Sequence, residues 1–255
     1  MTIFKKACIL LFLFLIVFFT AITSKAENDR FEQVNKYLDD GISTYNEKLL
    51  HDARKILIQL IKENPSAHIY VHYVALTYLG LCDLKNFEIA KSPVRKAKKA
   101  LKAERVALAE EGIVYADKSI ALKNDFSDSH RVRGALISNR ISGMFSGMRN
   151  GSLAEEEINM ALRLDNNNAM AHIEEARKFI NKPGLLGGDI NKGIEILNNV
   201  IKDNPGLEKA YLNLGIAYAK NGELEKAINT FKYVLEINTG NPEARFFLDQ
   251  LMLSE

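Results

Sequence analysis

From about residue 27 onward, apolar positions recur at helical spacing almost everywhere, and no stretch shows the alternation of a half-buried strand. The clearest segment lies near the end of the chain. Tyr211, Leu214, Gly215 and Tyr218 share one face of a predicted helix, Asn221-Gly222 makes a turn, and Ala227, Phe231 and Val234 share a face of a second helix. Small residues at Gly215 and Ala227 let two such helices approach, while the large residues fill the space beside them.

The same register runs backwards along the chain. Units over 34–67, 68–126, 127–168, 169–207 and 208–241 each predict a helical hairpin, and Pro242 opens a further segment, PEARFFLDQLML, that caps the stack over 242–255. His130, Gly134 and Ile137 answer to Tyr211, Gly215 and Tyr218, as do His172, Ala176 and Phe179. Ser129-His130 and Ala171-His172 occupy the position of Ala210-Tyr211. This series resembles the tetratricopeptide repeat (TPR), a 34-residue helical hairpin. Asp40, Arg133 and Glu175 stand where that family has Leu. The resemblance implies an all-α fold, an α-solenoid of about five hairpins plus a C-terminal capping helix. In such a stack each hairpin buries its apolar face only against its neighbours.

The middle three units exceed 34 residues, and the excess falls between their first and second helices, so the insertions are expected on one edge of the solenoid. The longest holds KSPVRKAKKALKAERVALAEEG, where Ser92 and Pro93 suggest a helix start and a helix running to about Leu122. Lys91, Arg95, Lys96, Lys98, Lys99, Lys102 and Arg105 make it a basic arm, with Glu104 the one acid among them. Such an arm suits a solvated helix face, an acidic partner or an anionic surface. The second insertion, ISGMFSGMRNGS, reads as a flexible glycine-bearing loop that either exposes Met144, Phe145 and Met148 or folds them back. The third, KPGLLGGD, lacks the strand and the Gly-Lys-Ser/Thr of a phosphate loop and reads as a turn, with Asp189 capping the next helix.

In TPR proteins the first helices line a concave groove. Carried over residue by residue, the resemblance assigns to it Leu38, Ile42, Tyr45, His72, Leu76, Arg131, Ile173, Arg177, Ile180, Leu212 and Ile216. The Lys and Asn clamp with which some family members hold a terminal carboxylate is missing from these positions. What remains is a largely apolar groove with Arg131 and Arg177 near its middle, suited to an amphipathic helix or an extended peptide carrying an acid.

The N-terminal 26 residues change the reading of composition. Lys5 and Lys6 precede an apolar run from Ala7 to Ile22, and Ser24 and Ala26 place small residues before Glu27, the layout of a secretory signal peptide over 1–26. The alternative is an uncleaved membrane anchor. Cys8 sits at the start of the apolar run rather than at the cleavage site, which argues against lipidation. Over the whole chain 34 Lys and Arg face 32 Asp and Glu, a balance unlike that of a dedicated nucleic-acid binder. Cys82 is the one cysteine after the leader, so no internal disulfide is expected there.

No catalytic constellation emerges. His68 and His72 have helical ligand spacing but no third ligand completes a metal site, and neither a nucleophile elbow nor a dinucleotide fingerprint is present. No cofactor is implied. The expectation is a non-enzymatic interaction scaffold, exported to the periplasm, that binds a protein or peptide and possesses a surface open to homo-oligomerisation. The other class in view is an exported small-ligand-binding TPR protein associated with a solute transporter.

Overall fold

The computed structural model describes residues 25–253; the leader assigned to 1–26 lies outside them except for its last two positions. Among the described residues there are eleven α-helices and no strand. They are α1 (25–43), α2 (Glu47–Glu63), α3 (His68–Lys91), α4 (Arg95–Leu122), α5 (Ser127–Asn139), α6 (Met144–Leu164), α7 (Ala169–Asn181), α8 (Ile190–Asp203), α9 (Glu208–Lys220), α10 (Leu224–Ile237) and α11 (Pro242–Met252). Consecutive pairs form five antiparallel hairpins and α11 caps the fifth.

Local chemistry explains the repetition. Asn168, Asp189 and Asn241 cap α7, α8 and α11 by accepting a backbone N–H in the first turn. The turns between hairpins share one geometry: the N–H groups of Ala67, Asn168, Leu207 and Asn241 reach back three residues to Asn64, Asp165, Asn204 and Asn238. A second shared device ties each first helix to the turn before it. His130 Nε2 lies 3.0 Å from the Asn124 carbonyl, His172 Nε2 lies 3.0 Å from that of Asn166, and the Tyr211 hydroxyl donates to that of Pro205 at 3.1 Å. The three aligned positions thus do the same work with different side chains.

Close helix approach rests on small residues. A Cβ on Gly215 would stand 2.7 Å from the Phe231 ring, and one on Gly193 would stand 2.5 Å from Ile180 Cγ1. The apolar seams form a core through α1–α5 around Leu50, Leu57, Leu81 and Leu136, with smaller clusters where α7 to α9 and α9 to α11 meet.

The insertions follow their sequence reading in part. The first is helical to Leu122 as read, and it lengthens both helices of its hairpin, α3 to 24 residues and α4 to 28. Ser92 ends α3 and Val94 is the N-cap of α4, so Ser92 is not a helix start. The second forms the opening turns of α6, with Met144, Phe145 and Met148 fully outside the core, not a flexible loop. The third is the expected turn, a short 3-10 segment at Gly184–Leu186 followed by Gly187 at φ 90°, with Asp189 accepting from the Lys192 N–H.

Candidate functional site

The concave face is where a TPR solenoid is expected to bind, and here it is filled from within. An amphipathic helix leaves one side to solvent, yet α3 is buried without a break from Thr77 to Leu84. Its second half lies along the inside of the coil, and the later hairpins wrap round it. Lys209 Nζ of α9 donates to Asp83 Oδ2 at 2.9 Å, and Arg177 of α7 lies 3.9 Å from the other Asp83 oxygen. Phe87 meets Phe246 of α11 edge to face at 5.8 Å and stacks on Tyr45 at 5.1 Å. Tyr45 in turn donates its hydroxyl to Glu243 at the start of α11.

This occupancy corrects most of the groove assignment. Leu38, His72, Arg131, Ile173, Ile180 and Leu212 are buried core residues, closed to a ligand. Ile42, Tyr45, Leu76, Arg177 and Ile216 are half-buried, and Arg177 is already engaged by Glu174 at 3.1 Å. Arg131 has a structural partner: it donates through Nε and Nη2 to Asp128, the latter bond 3.0 Å long. His72 belongs to the same cluster, with Nε2 3.0 Å from Asp128 and Nδ1 3.2 Å from the Ser129 hydroxyl. It is a satisfied core histidine.

The electrostatics follow from burial and pairing together. Burial alone would raise Asp83, but Lys209 and Arg177 outweigh it and hold the carboxyl below its ordinary range. The same balance operates at Asp128, where burial is overcome by Arg131 and His72 and the carboxyl stays far below the usual range. Glu174 leads in holding the Arg177 guanidinium firmly charged. Glu243 goes the other way: burial raises it, and the attraction of Lys209 and Arg177 does not fully compensate. Asp83, Glu174, Lys209 and Glu243 were not singled out by the sequence reading. One signal was present, a lone acid inside the apolar run YVALTYLGLCDL.

At the mouth of the filled coil a cleft of about 380 Å³ remains, lined by Thr44, Tyr45, Leu84, Phe87, Glu88, Lys91, Ser92 and Pro242. It joins an aromatic and apolar floor to one cation, the ammonium of Lys91, which lies 5.0 Å over the Phe87 ring. The basic arm divides. Arg105 turns inward, donating to Asn86 Oδ1 at 2.8 Å and the Ile141 carbonyl at 2.6 Å, whereas Arg95, Lys96, Lys99 and Lys102 are exposed and Lys98 half-buried on α4. Cys82 is buried, and burial pushes its thiol up, so it is an inert core side chain. Among the described residues no group of three or more His, Cys, Asp or Glu side chains is arranged to hold a metal ion.

The family model of the tetratricopeptide repeat matches residues 208–241. None of the curated proteins matches the chain. Among solved structures the chain is similar to TTC0263, a thermophilic TPR protein of Thermus thermophilus, with a TM-score of 0.62 at 16% identity over 86% of this chain and 99% of that one. It is also similar to human IFIT1, solved as a dimer with m7Gppp-AAAA, with a TM-score of 0.59 at 12% identity over 81% of this chain and 42% of that one. YrrB, described as a TPR protein with an unusual peptide-binding site, gives a TM-score of 0.40 at 16% identity over 88% of this chain and 95% of that one. The first two likenesses show the fold.

Proposed function

We propose that this chain, a tetratricopeptide-repeat solenoid by fold and over 208–241 by sequence, is a non-enzymatic adaptor of the cell envelope that holds a partner protein at the mouth of its coil. Stacked hairpins build extended surfaces for binding rather than enclosed chambers for chemistry. The envelope location rests on Lys5, Lys6, the apolar run Ala7 to Ile22 and the small residues Ser24 and Ala26, whether the leader is cleaved or retained as an anchor.

The observation that carries the reading is the filled concave face. With α3 inside the coil, a partner cannot lie along the groove, and an accessible recess at its mouth is the cleft between Tyr45, Phe87, Lys91 and Pro242. Its size and lining suit one aromatic or branched side chain of a partner segment, with a neighbouring carboxylate meeting Lys91. The cleft is open to solvent along Thr44 and Lys91 and so does not enclose a small molecule, which disfavours the small-ligand reading.

The test is site-specific photocrosslinking in living cells from Ser92, beside the cleft, with the exposed Glu236 on α10 as the control position. A discrete protein adduct from Ser92 alone, lost in Lys91→Glu, is the expected result. Equal capture from both positions, or capture from Ser92 that ignores Lys91→Glu, would overturn the assignment.

A further inference from the structure

Three turns join the first and second helices of the middle hairpins, at 92–94, 140–143 and 182–189, and all emerge on the same edge of the stack. That edge combines two properties that soluble surfaces keep apart. Val94, Met144, Phe145, Met148, Leu185 and Leu186 stand on it with fractional exposures of 56, 77, 87, 69, 102 and 56%. Within 91–105, 140–152 and 182–189 there are ten Lys and Arg and two acids, Glu104 and Asp189, in a chain with 34 Lys and Arg against 32 Asp and Glu overall. The opposite edge differs: its turns carry Asp125 and Asp165, and Phe126 is covered by the rings of His68 and His72.

The cations are placed for use outside the protein. Arg95, Lys98, Lys99 and Lys102 fall at i, i+3, i+4 and i+7 of α4, a single stripe, and among the described residues none of them forms an ion pair. Arg149 on α6 is likewise exposed beside Met148. The apolar side chains sit on separate protruding turns rather than in one recess, so a shaped protein partner has no pocket to fill. A planar, deformable surface of negative charge with an apolar layer beneath it fits both properties.

We infer that this edge docks on the surface of an anionic phospholipid bilayer. The α4 stripe lies over the headgroups, and Phe145, Met144, Met148, Leu185 and Leu186 enter the interfacial layer. The contact is peripheral, since no helix among the described residues is long and apolar enough to cross a membrane. The edge shares Lys91 and Ser92 with the partner cleft, but the inference rests on the α4 stripe and on Met144, Phe145, Met148, Leu185 and Leu186, so vesicle binding read at Phe145 and crosslinking from Ser92 can fail separately.

The chain contains no tryptophan, so Phe145→Trp in the full-length protein supplies a single reporter at the point of insertion. The probes are phosphatidylcholine vesicles with and without phosphatidylglycerol, and any baseline from a retained leader is shared by all variants. The expected result is a blue-shifted emission protected from aqueous quencher only when phosphatidylglycerol is present, and reversed by high salt. Adding Lys98→Glu, Lys99→Glu and Lys102→Glu is expected to abolish the shift with unchanged circular dichroism. Adding Met144→Ser and Met148→Ser instead, which leaves the charges intact, is expected to weaken it. An emission spectrum indifferent to phosphatidylglycerol, or a shift that survives the triple charge reversal, overturns the inference.

Discussion

The Tyr45 hydroxyl donates to the carboxylate of Glu243, 198 positions along the chain, and so fastens the first hairpin to the capping helix. Tyr45 makes this bond from a left-handed backbone conformation at φ 52°, just past the end of α1. There the Asn46 N–H returns to the Gly41 carbonyl at 2.9 Å, a helix ending that glycine normally supplies. A tyrosine there accepts a strain of about 1–2 kcal/mol, held by the Phe87 stack and the Glu243 bond.

Tyr45→Phe tests that clasp. It keeps the stack but leaves a buried carboxylate without its donor, and is expected to cost about 1–3 kcal/mol. Tyr45→Gly relieves the strain but removes ring and hydroxyl together, and is expected to be less stable still. Urea unfolding gives both values. Hydrogen exchange in α11, faster in both variants than in the parent, localises the effect.

The Asp83–Lys209 pair is expected to behave as a buried ion pair. Asp83→Asn leaves the Lys209 ammonium inside the coil without its carboxylate, which costs about 3–5 kcal/mol. Replacing both partners, as Asp83→Leu with Lys209→Met, is expected to recover most of that loss, because neither charge is then stranded. The double variant being no better than Asp83→Asn in chemical denaturation would contradict the pairing.

Acid sensitivity has a defined direction. Asp128 is depressed in the fold, so its contribution is complete above the ordinary carboxylate pKa and is lost as pH falls through that value towards the folded one. Glu243 is raised, so its contribution is present at low pH and is lost as pH rises through its folded value. Asp128→Asn is therefore expected to flatten the fall in unfolding free energy between about pH 5 and 3, and Glu243→Gln to leave that fall in place. Denaturant midpoints across this range decide it.

Two glycines should respond oppositely to a methyl group. Gly193→Ala drives a Cβ into Ile180 and to 3.1 Å from the Ala176 carbonyl, and is expected to cost about 1–3 kcal/mol. Gly151 lies within α6 with open space around it, so Gly151→Ala is expected to gain about 0.5–1 kcal/mol from helix propensity. Thermal unfolding of the two variants should shift in opposite directions.

Cys82 offers a probe of the filled coil. With its thiol buried beside the Arg105 carbonyl at 3.6 Å, it is expected to resist maleimide in the native protein and to react once the chain is unfolded. Peptide mass after labelling reads this at Cys82 alone. Native labelling at the unfolded rate would show that α3 leaves the coil readily.

Much of the architecture was legible because it is local and repeated. The pairing of small with large residues at Gly215 and Phe231, and the equivalence of His130, His172 and Tyr211, follow from short-range register, and the hairpins obey it. The boundary at Ser92 was not legible: Ser-Pro carries a helix-start signal, yet the serine ends α3, because packing along the inside of the coil extends that helix to Lys91. The candidate groove failed for a related reason. Position in a repeat tells which way a side chain points, but not whether another part of the same chain already lies there.

The sequence by itself determined the helices, their pairing and their order, since each hairpin is specified by residues within one unit. It also determined which turns are basic and apolar. Only the tertiary structure decided that the long α3 occupies the concave face. That outcome depends on Asp83 meeting Lys209 and Arg177, and on Tyr45 and Phe87 meeting α11, across separations of roughly a hundred residues or more. Such contacts arise from the curvature accumulated over successive repeats, a quantity that no single repeat encodes.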